Sequence, residues 1–567
     1  MRKRLKWMAL FRLLVFLLTI IMTVIATRWG ITAVVIFISA GISMFLLTLV
    51  RYLNMQRQLQ HEENLAGIND KELKALAGDY SMFEDGKEFD DPDHPYTNDL
   101  DIFGPGSLFQ FFNRSATVVG KIRLAGFFSQ SLADGDQIRA RQKSVEELSR
   151  KPEFRQEFLA TGYRHKEMPS DKDDLLKWVS EPAEFSHWKF KFFLIFIPLL
   201  TFTVLILASL SVISFSLVLV YLAVPFGFLG IYIKKISKKH LILSRKAELL
   251  KKYSGLLSVI ENEMESHGTP SHFKPSEATR KLSAILNAFD TRNNWLMGFI
   301  LNFLFLWDLI QVIRTEKWQK EYRHELPEWI ELLAETDALC SLANFHFNHP
   351  ESIFPAVINE GTLIEAKELG HPLISKDHRV TNPANLLCRR HFIIVTGANM
   401  AGKSTYLRTV GVNLVMAMAG SAVIAERMSF QPVNLVSSIR TKDSLQKNES
   451  YFYAELKRLK YIIDRLQNGE KLLILLDEIL KGTNSRDKQS GSIALLEKLL
   501  RYEAAGIIAT HDLALGDLEK SYPENITNKS FEVVIENDAL AFDYQLKDGI
   551  ARQMNATFLM RKMGITD

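Results

Sequence analysis

Cysteine is almost missing from this chain, with two in 567 residues, Cys340 and Cys388. That excludes a disulfide framework and any Cys-based zinc site, and it suits a reducing compartment. A dominant charge sign is also missing. The 69 Lys and Arg against 65 Asp and Glu leave a net charge of +4, too mild a bias to mark a nucleic-acid binder by itself. Internal repeats and low-complexity tracts are absent as well, which excludes a solenoid. The length predicts two to four domains, since one core does not grow that large.

What is present in excess is hydrophobic sequence, 47% of the residues, concentrated in two blocks. Trp29 to Val50 carries no charge and is long enough to cross a bilayer. Before it, Leu13 to Thr27 is apolar but short, bounded by Arg12 and Arg28, and spans if Arg12 snorkels to the interface. Phe192 to Ile233 is a run of 42 uncharged residues. At about 1.5 Å per residue it is twice a membrane thickness, so it predicts a hairpin of two helices. Ser209, Ser211, Ser214 and Ser216 mark its turn. Basic residues flank these blocks (Arg2, Lys3, Arg4 and Lys6; Lys234, Lys235, Lys238 and Lys239). The positive-inside rule then puts both termini in the cytoplasm. A cleaved signal peptide and a pair of buried core helices are the bland alternatives. A further apolar stretch, Trp295 to Trp307, is too short to span and reads as a core helix.

The C-terminal third changes texture. Short β-rich runs at 392–396, 472–476 and 506–510 alternate with helical patterns, as in a parallel-sheet nucleotide-binding domain. Phe392-Ile393-Ile394-Val395 feeds Gly397-Ala398-Asn399-Met400-Ala401-Gly402-Lys403-Ser404-Thr405, the pattern G-x-x-x-x-G-K-[ST]. A strand entering a glycine-rich turn and then a helix aims backbone N–H groups and the helix dipole at phosphate oxygens. Lys403 is expected to neutralise the β- and γ-phosphates of ATP, and Ser404 to hold Mg2+ together with Asp477. Leu472 to Leu476 ends in Asp477-Glu478 about 75 residues after the phosphate loop. At that place Glu478 is the residue to orient or deprotonate the attacking water. The third run ends in Thr510-His511-Asp512, where His511 can sense the γ-phosphate. Ser450 stands before a helix and reads blandly as an N-cap. The transporter signature Leu-Ser-Gly-Gly-Gln occurs nowhere in the chain.

At these residues the chain resembles the MutS family of DNA mismatch repair ATPases. Thr396 to Tyr406 is similar to that family's phosphate loop, with its Asn-Met pair. Asp477-Glu478 followed by Gly482-Thr483, and Ala509-Thr510-His511, fit the next two motifs, and Ser450-x-Phe452-x-x-Glu455 resembles a further one. The resemblance implies that Ser450 reaches the nucleotide of a partner subunit, hence a homodimer with two composite ATP sites. Gly370-His371-Pro372 resembles the opening of the family's ATPase domain. Gly106 to Gly120, Val145 to Leu148 and Glu335 to Ala343 resemble its core, so that the likeness covers roughly 97–165 and 325–567.

The departures carry expectations too. Ala398 and Ala401 replace a proline and a glycine, and Leu480-Lys481 replaces Gly-Arg. No N-terminal segment resembles a mismatch reader, the hairpin 192–233 stands where lever helices lead to a DNA clamp, and the chain stops at Asp567 without the usual C-terminal helix-turn-helix.

The expected architecture is an α/β P-loop NTPase domain of the ABC type found in the MutS family, C-terminal to an α-helical core with about four transmembrane helices. Two transmembrane helices occupy 1–50, a polar acidic linker that begins as helix 51–96, the first part of the core 97–190, and the hairpin 191–233. A helical lever with the second part of the core fills 234–365, and the ATPase domain 366–567. The expected function is a membrane-anchored ATPase that couples hydrolysis in a dimer to conformational change. It would lie in the cell membrane as a multi-pass protein with its N-terminus, core and ATPase domain cytoplasmic. Its expected partners are the lipid bilayer, an unidentified membrane partner and duplex DNA without mismatch specificity. The alternative is an ATPase of a membrane transport or remodelling system with no DNA role.

Overall fold

The computed structural model describes the chain except residues 131, 166, 245, 267–273, 440–450, 481–483, 537–538 and 552–567. The chain divides into two units, each built from two segments: residues 1–73 with 156–333, and residues 74–155 with 334–567.

The first unit is helical among its described residues. Arg2–Ala26 and Ile31–Leu76 form a hairpin whose tight turn contains Gly30. Arg12 lies 4.8 Å from the Tyr52 ring centroid, a cation–π contact one residue beyond Arg51. Trp188–Ser209 and Phe215–Tyr221, continued by Ala223–Leu243, make a second hairpin. Its turn falls at Leu210 to Ser214, among the serines expected to mark it. Four helices, Arg2–Trp29, Ile31–Leu76, Trp188–Ser209 and Phe215–Leu243, are long and apolar enough to cross a membrane by length and composition. Little of their apolar surface is covered, with Leu13, Phe16, Leu47, Leu199 and Val220 all about half exposed or more. A soluble helix shows the opposite pattern, with an apolar stripe hidden and a polar face outward.

The helix expected to be core is not. Trp295–Phe305 leaves Trp295 79% and Leu296 49% exposed. Leu306 takes a left-handed conformation at φ 54, and the next helix, Trp307–Tyr322, leaves at 80°. The apolar helix packs against the second hairpin, with Phe299 stacked on Phe226 at 4.8 Å and Phe305 5.8 Å from Phe202. Its length was the wrong guide. The apolar surface it joins is itself largely uncovered, so joining it buries only one side.

The segment 51–96, read as a helix followed by an acidic linker, begins as helix and ends packed against the second unit's core. The helix Ile31–Leu76 runs straight through its first half, and Tyr96 is 4% exposed within the core of the second unit. The acidic cluster is tied down, because Glu84 and Glu88 both pair with Lys121, at 2.5 and 2.8 Å. The expected boundaries at 190 and 365 shift for a related reason. Residues 97–155 and 334–365 belong to the second unit, whereas 156–190 belong to the helical one.

Among its described residues that second unit holds ten strands: β1 (Ala356–Val357), β2 (Thr362–Leu369), β3 (Asn382–Leu387), β4 (His391–Gly397), β5 (Arg427–Phe430), β6 (Asn434–Ser438), β7 (Leu472–Asp477), β8 (Ala505–Thr510), β9 (Ile526–Glu536) and β10 (Ala539–Asp548). A small sheet runs β1-β5-β2-β3, and the main sheet runs β10-β9-β4-β8-β7-β6. The main sheet is parallel from β9 to β6, with β10 antiparallel at its edge. Both its faces are covered, and the sequence shows why. Along β4, Ile393 and Val395 pack into one core while Phe392 and Ile394 pack into the other; β7 splits Leu473 and Leu475 from Ile474 and Leu476 in the same way. A strand alternates its side chains, so a continuous apolar run needs apolar cover on both sides. The helix Lys403–Met418 covers the first face, and Tyr451–Gln467 with Ser485–Arg501 the second.

Two segments that resemble the family core meet here. The Asp337 carboxylate, fully buried, accepts from the Ala116 N–H at 3.0 Å, the Thr117 N–H at 2.8 Å and the Thr117 hydroxyl at 2.6 Å. Thr117 in turn caps the helix Val118–Ser129 by accepting from Gly120 N–H. A Cβ on Gly120 would fall 2.1 Å from Asp337 Oδ2, so only glycine admits this approach.

A phosphate loop and its carboxylates at the strand ends

Strands β4, β8 and β7 lie side by side and parallel, so their C-terminal ends open on one crevice, the usual ligand position in such sheets. All seven residues of β4 are buried, which fixes the root of the loop that follows. Met400 has φ 67 and Gly402 φ 110. Gly402 turns the chain into the helix Lys403–Met418 as its N-cap, and this left-handed turn is the reason for glycine there.

Lys403 is 5% exposed, and its ammonium donates to the carbonyl oxygens of Gly397 and Ala398, at 2.8 Å each. The cation is thus held over the loop's own backbone. The Ser404 hydroxyl donates to the Asp477 carboxylate at the end of β7. This oxygen pair is the donor set a hard divalent cation takes, with phosphates and water completing the shell. No group of three His, Cys, Asp or Glu suited to a metal occurs among the described residues. The arrangement therefore fits a cation shared with a phosphate ligand better than an all-protein cage.

Beyond Asp477 the chain makes two left-handed turns at non-glycine residues, Glu478 at φ 53 and Leu480 at φ 59. Such backbone is costly unless its surroundings hold it, and two hydrogen bonds do so. Glu478 N–H donates to Ala509 O of β8 at 2.8 Å, and Leu480 N–H donates to Glu455 Oε1 at 2.5 Å. Glu455, 3% exposed, sits on the helix Tyr451–Gln467. The result places Glu478 Oε1 3.5 Å from His511 Nδ1, and Lys488 Nζ 3.4 Å from His511 Nε2.

A cavity of about 470 Å3 runs along this crevice, the size of a small-molecule site. Asn399, Met400, Lys403, Ser404, Thr405 and Glu478 are among its lining residues. Of the other expected residues, Gly397 ends β4, Ala398 is half-buried and Ala401 packs into the core at 2% exposure. Ser450 and Gly482-Thr483 lie outside the described residues. Three features escaped the sequence reading: the roles of Glu455 and Lys488, and the part that Ile374, Val380, Phe531 and Tyr544 take in lining the cavity. The last could not be found by a local pattern, because those residues come from a loop and two strands far apart in sequence. Asn382 joins them, its amide donating to Tyr544 O at 2.9 Å and its side-chain oxygen accepting from Leu546 N–H at 2.7 Å.

Residues 393–563 match the family described as MutS domain V. The DNA mismatch repair protein MutS of Thermotoga petrophila is 32% identical over 254 residues, 44% of this chain and 31% of that protein. The human MutS protein homolog 4 is 34% identical over 199 residues, 33% of this chain and 21% of its own length. MutS of Pseudothermotoga lettingae is 33% identical over 229 residues, 40% and 28% of the two chains. The chain thus spans about a third or less of the curated relatives it matches. With the phosphate loop, the Asp-Glu strand end and the histidine in one crevice, the C-terminal part of this chain is similar to domain V of the MutS family in sequence and in the placing of its motifs.

Proposed function

We propose that this protein binds and hydrolyses ATP between two copies of its C-terminal unit, anchored in a membrane by its apolar helices. The observation that carries the reading is the convergence of Lys403, the Ser404–Asp477 pair and the Glu478–His511 pair on one cavity. The loop N–H groups and Lys403 bind the phosphates. Ser404 and Asp477 would hold Mg2+, which would supply neutralisation of phosphate charge. Glu478 orients a water and accepts its proton. His511, 3.5 Å from Glu478, is placed to respond to the terminal phosphate. Phe531 and Tyr544, aromatic residues of the cavity lining, take the base. Ser450 completes the site of the second copy, as the family resemblance implies.

The membrane reading is supported by four helices of sufficient length and apolarity and by their uncovered surfaces. It puts both termini and the ATPase unit on the cytoplasmic side. The helix Trp295–Phe305, apolar and uncovered, belongs to the same lipid-facing surface as a re-entrant element. ATP closure and release of the dimer would then act on the membrane helices and on a partner within the bilayer.

Because the matched relatives bear the name DNA mismatch repair protein, duplex DNA is the second partner to test, as a contact that does not read mismatches. Matched and mismatched duplexes should bind equally, with affinity falling as salt rises. A transport ATPase without a DNA role predicts no duplex binding at all.

The test is full-length protein purified in detergent. Glu478→Ala should retain ATP binding, lose turnover by about 100-fold or more, and accumulate as an ATP-bound dimer in size-exclusion chromatography. Undiminished turnover in that variant would refute the role of Glu478. Release of the protein from membranes by alkaline extraction would refute the anchoring.

A further inference from the structure

The helical unit contains a second cavity, of about 260 Å3. Three helical segments wall it: the helix Ile31–Leu76 through Gln56, Arg57 and Gln60; the end of the helix Pro152–Gly162 with Arg164 and His165 just beyond it; and the helix Lys246–Ser266 through Lys251 and Lys252. Four permanent cations therefore face one space, and no carboxylate is among its described lining residues.

The acids that balance this charge sit around the cavity rather than among its lining residues. Lys252 Nζ is 3.2 Å from Glu167 Oε2, and Tyr253 donates to the other carboxylate oxygen at 2.6 Å. Glu248 serves both His165, at 3.0 Å, and Lys251, at 3.6 Å. Arg164 Nη2 lies 3.0 Å from His61 Nδ1, and Arg57 has no ion pair among the described residues. His165 is held below its ordinary value, chiefly by burial, with the charges of Lys251, Lys252 and Arg164 opposing that of Glu248. The space is thus positively biased and also offers amide donors from Gln56 and Gln60. Donors of this kind around several cations suit an anion with multiple oxygens.

Position suggests its source. The charge-free run of the long helix ends at Val50. Leu53 follows about 5 Å further along the axis and Arg57 about 10 Å. A headgroup layer occupies about 5–8 Å on each face of a bilayer, within reach of an arginine that extends toward it.

We infer that this cavity binds a phosphate-bearing anion, supplied by the headgroup of an anionic phospholipid. The anion chemistry stands on the cavity alone; the lipid source rests on the membrane reading proposed above.

The test uses the full-length protein in detergent carrying Lys403→Ala, so that the phosphate loop does not contribute. Calorimetric titrations compare dihexanoyl phosphatidylglycerol, dihexanoyl phosphatidylcholine and inorganic phosphate. Phosphatidylglycerol should bind much more tightly than phosphatidylcholine. The pair R57E/K251E should weaken it by at least about tenfold, whereas R57K/K251R should retain it. Both positions are at the surface. With Lys403 restored, the ATPase rate of R57E/K251E in detergent should match wild type, which verifies folding. Unchanged affinity in R57E/K251E, or equal binding of the two lipids, overturns the site. Inorganic phosphate binding as tightly as phosphatidylglycerol overturns the lipid source. If alkaline extraction releases the protein from membranes while R57E/K251E still abolishes phosphate binding, the anchoring fails and the anion site survives.

Discussion

Glu455 shows what a single side chain contributes to the site without touching it. Its buried carboxylate accepts the Leu480 N–H and so fixes the loop that carries Glu478. Removing the acceptor leaves a buried donor unpaired beside two left-handed residues, at a cost of about 1–3 kcal/mol. Glu455→Ala should therefore lower kcat by about tenfold or more while leaving KM for ATP nearly unchanged, since the phosphate loop does not depend on it. A rise in KM at constant kcat would place Glu455 in nucleotide binding instead. Lys403, Ser404, Asp477 and Glu478 were legible in the sequence because each sits at a fixed offset from a strand end. Glu455 appeared there only as part of a resemblance. Its role depends on how the loop after β7 turns back toward a helix from an earlier segment, which no spacing encodes.

Among the elements, the strands with continuous apolar runs were readable and the others were not. β4, β7 and β8 are covered on both faces and so carry no polar residues in their centres. β9 and β10, reading Ile-Thr-Asn-Lys-Ser-Phe and Ala-Leu-Ala-Phe-Asp-Tyr at their starts, mix polar and apolar residues toward the open edge of the sheet, and local patterning alone gives such strands a weak signal. Helix starts depend on long-range partners in the same way. The helix Val118–Ser129 begins at Thr117, whose hydroxyl and N–H are both held by Asp337, more than two hundred positions later. Asp337→Ala would leave three buried donors without that carboxylate. The expected loss is about 3–5 kcal/mol, read as a lower urea midpoint for the ATPase unit. Asp337→Asn, which keeps one acceptor oxygen, should recover part of it. Equal losses in the two variants would show that the pocket's shape, rather than its hydrogen bonds, stabilises this junction.

At the scale of the whole molecule, the two units are interleaved in sequence, and composition could not reveal the cuts because each falls inside a helix: Ile31–Leu76, Pro152–Gly162 and Glu325–Asn348. The units differ in how they should respond to acid. In the ATPase unit, His94, His346, His349, His371 and His391 are all held below their ordinary value, in each case chiefly by burial. His371 is the extreme, lowered to about 4 by burial and then by Arg408 and Arg379. A histidine whose folded value is depressed takes up its proton more readily in the unfolded chain. Its contribution to stability is complete above about pH 6.5 and is lost as pH falls from there toward the folded value. His371 alone should lose about 1 kcal/mol by about pH 5.5, approaching about 3 kcal/mol below pH 4. Lowering the pH from about 7.5 to about 5.5 should therefore reduce the Tm of the ATPase unit by at least about 2–4 °C. His371→Gln, which keeps a polar side chain but cannot titrate, should flatten part of that slope. A Tm that is constant or rises on acidification would mean that these rings are protonated in the folded protein, paired with carboxylates rather than buried neutral.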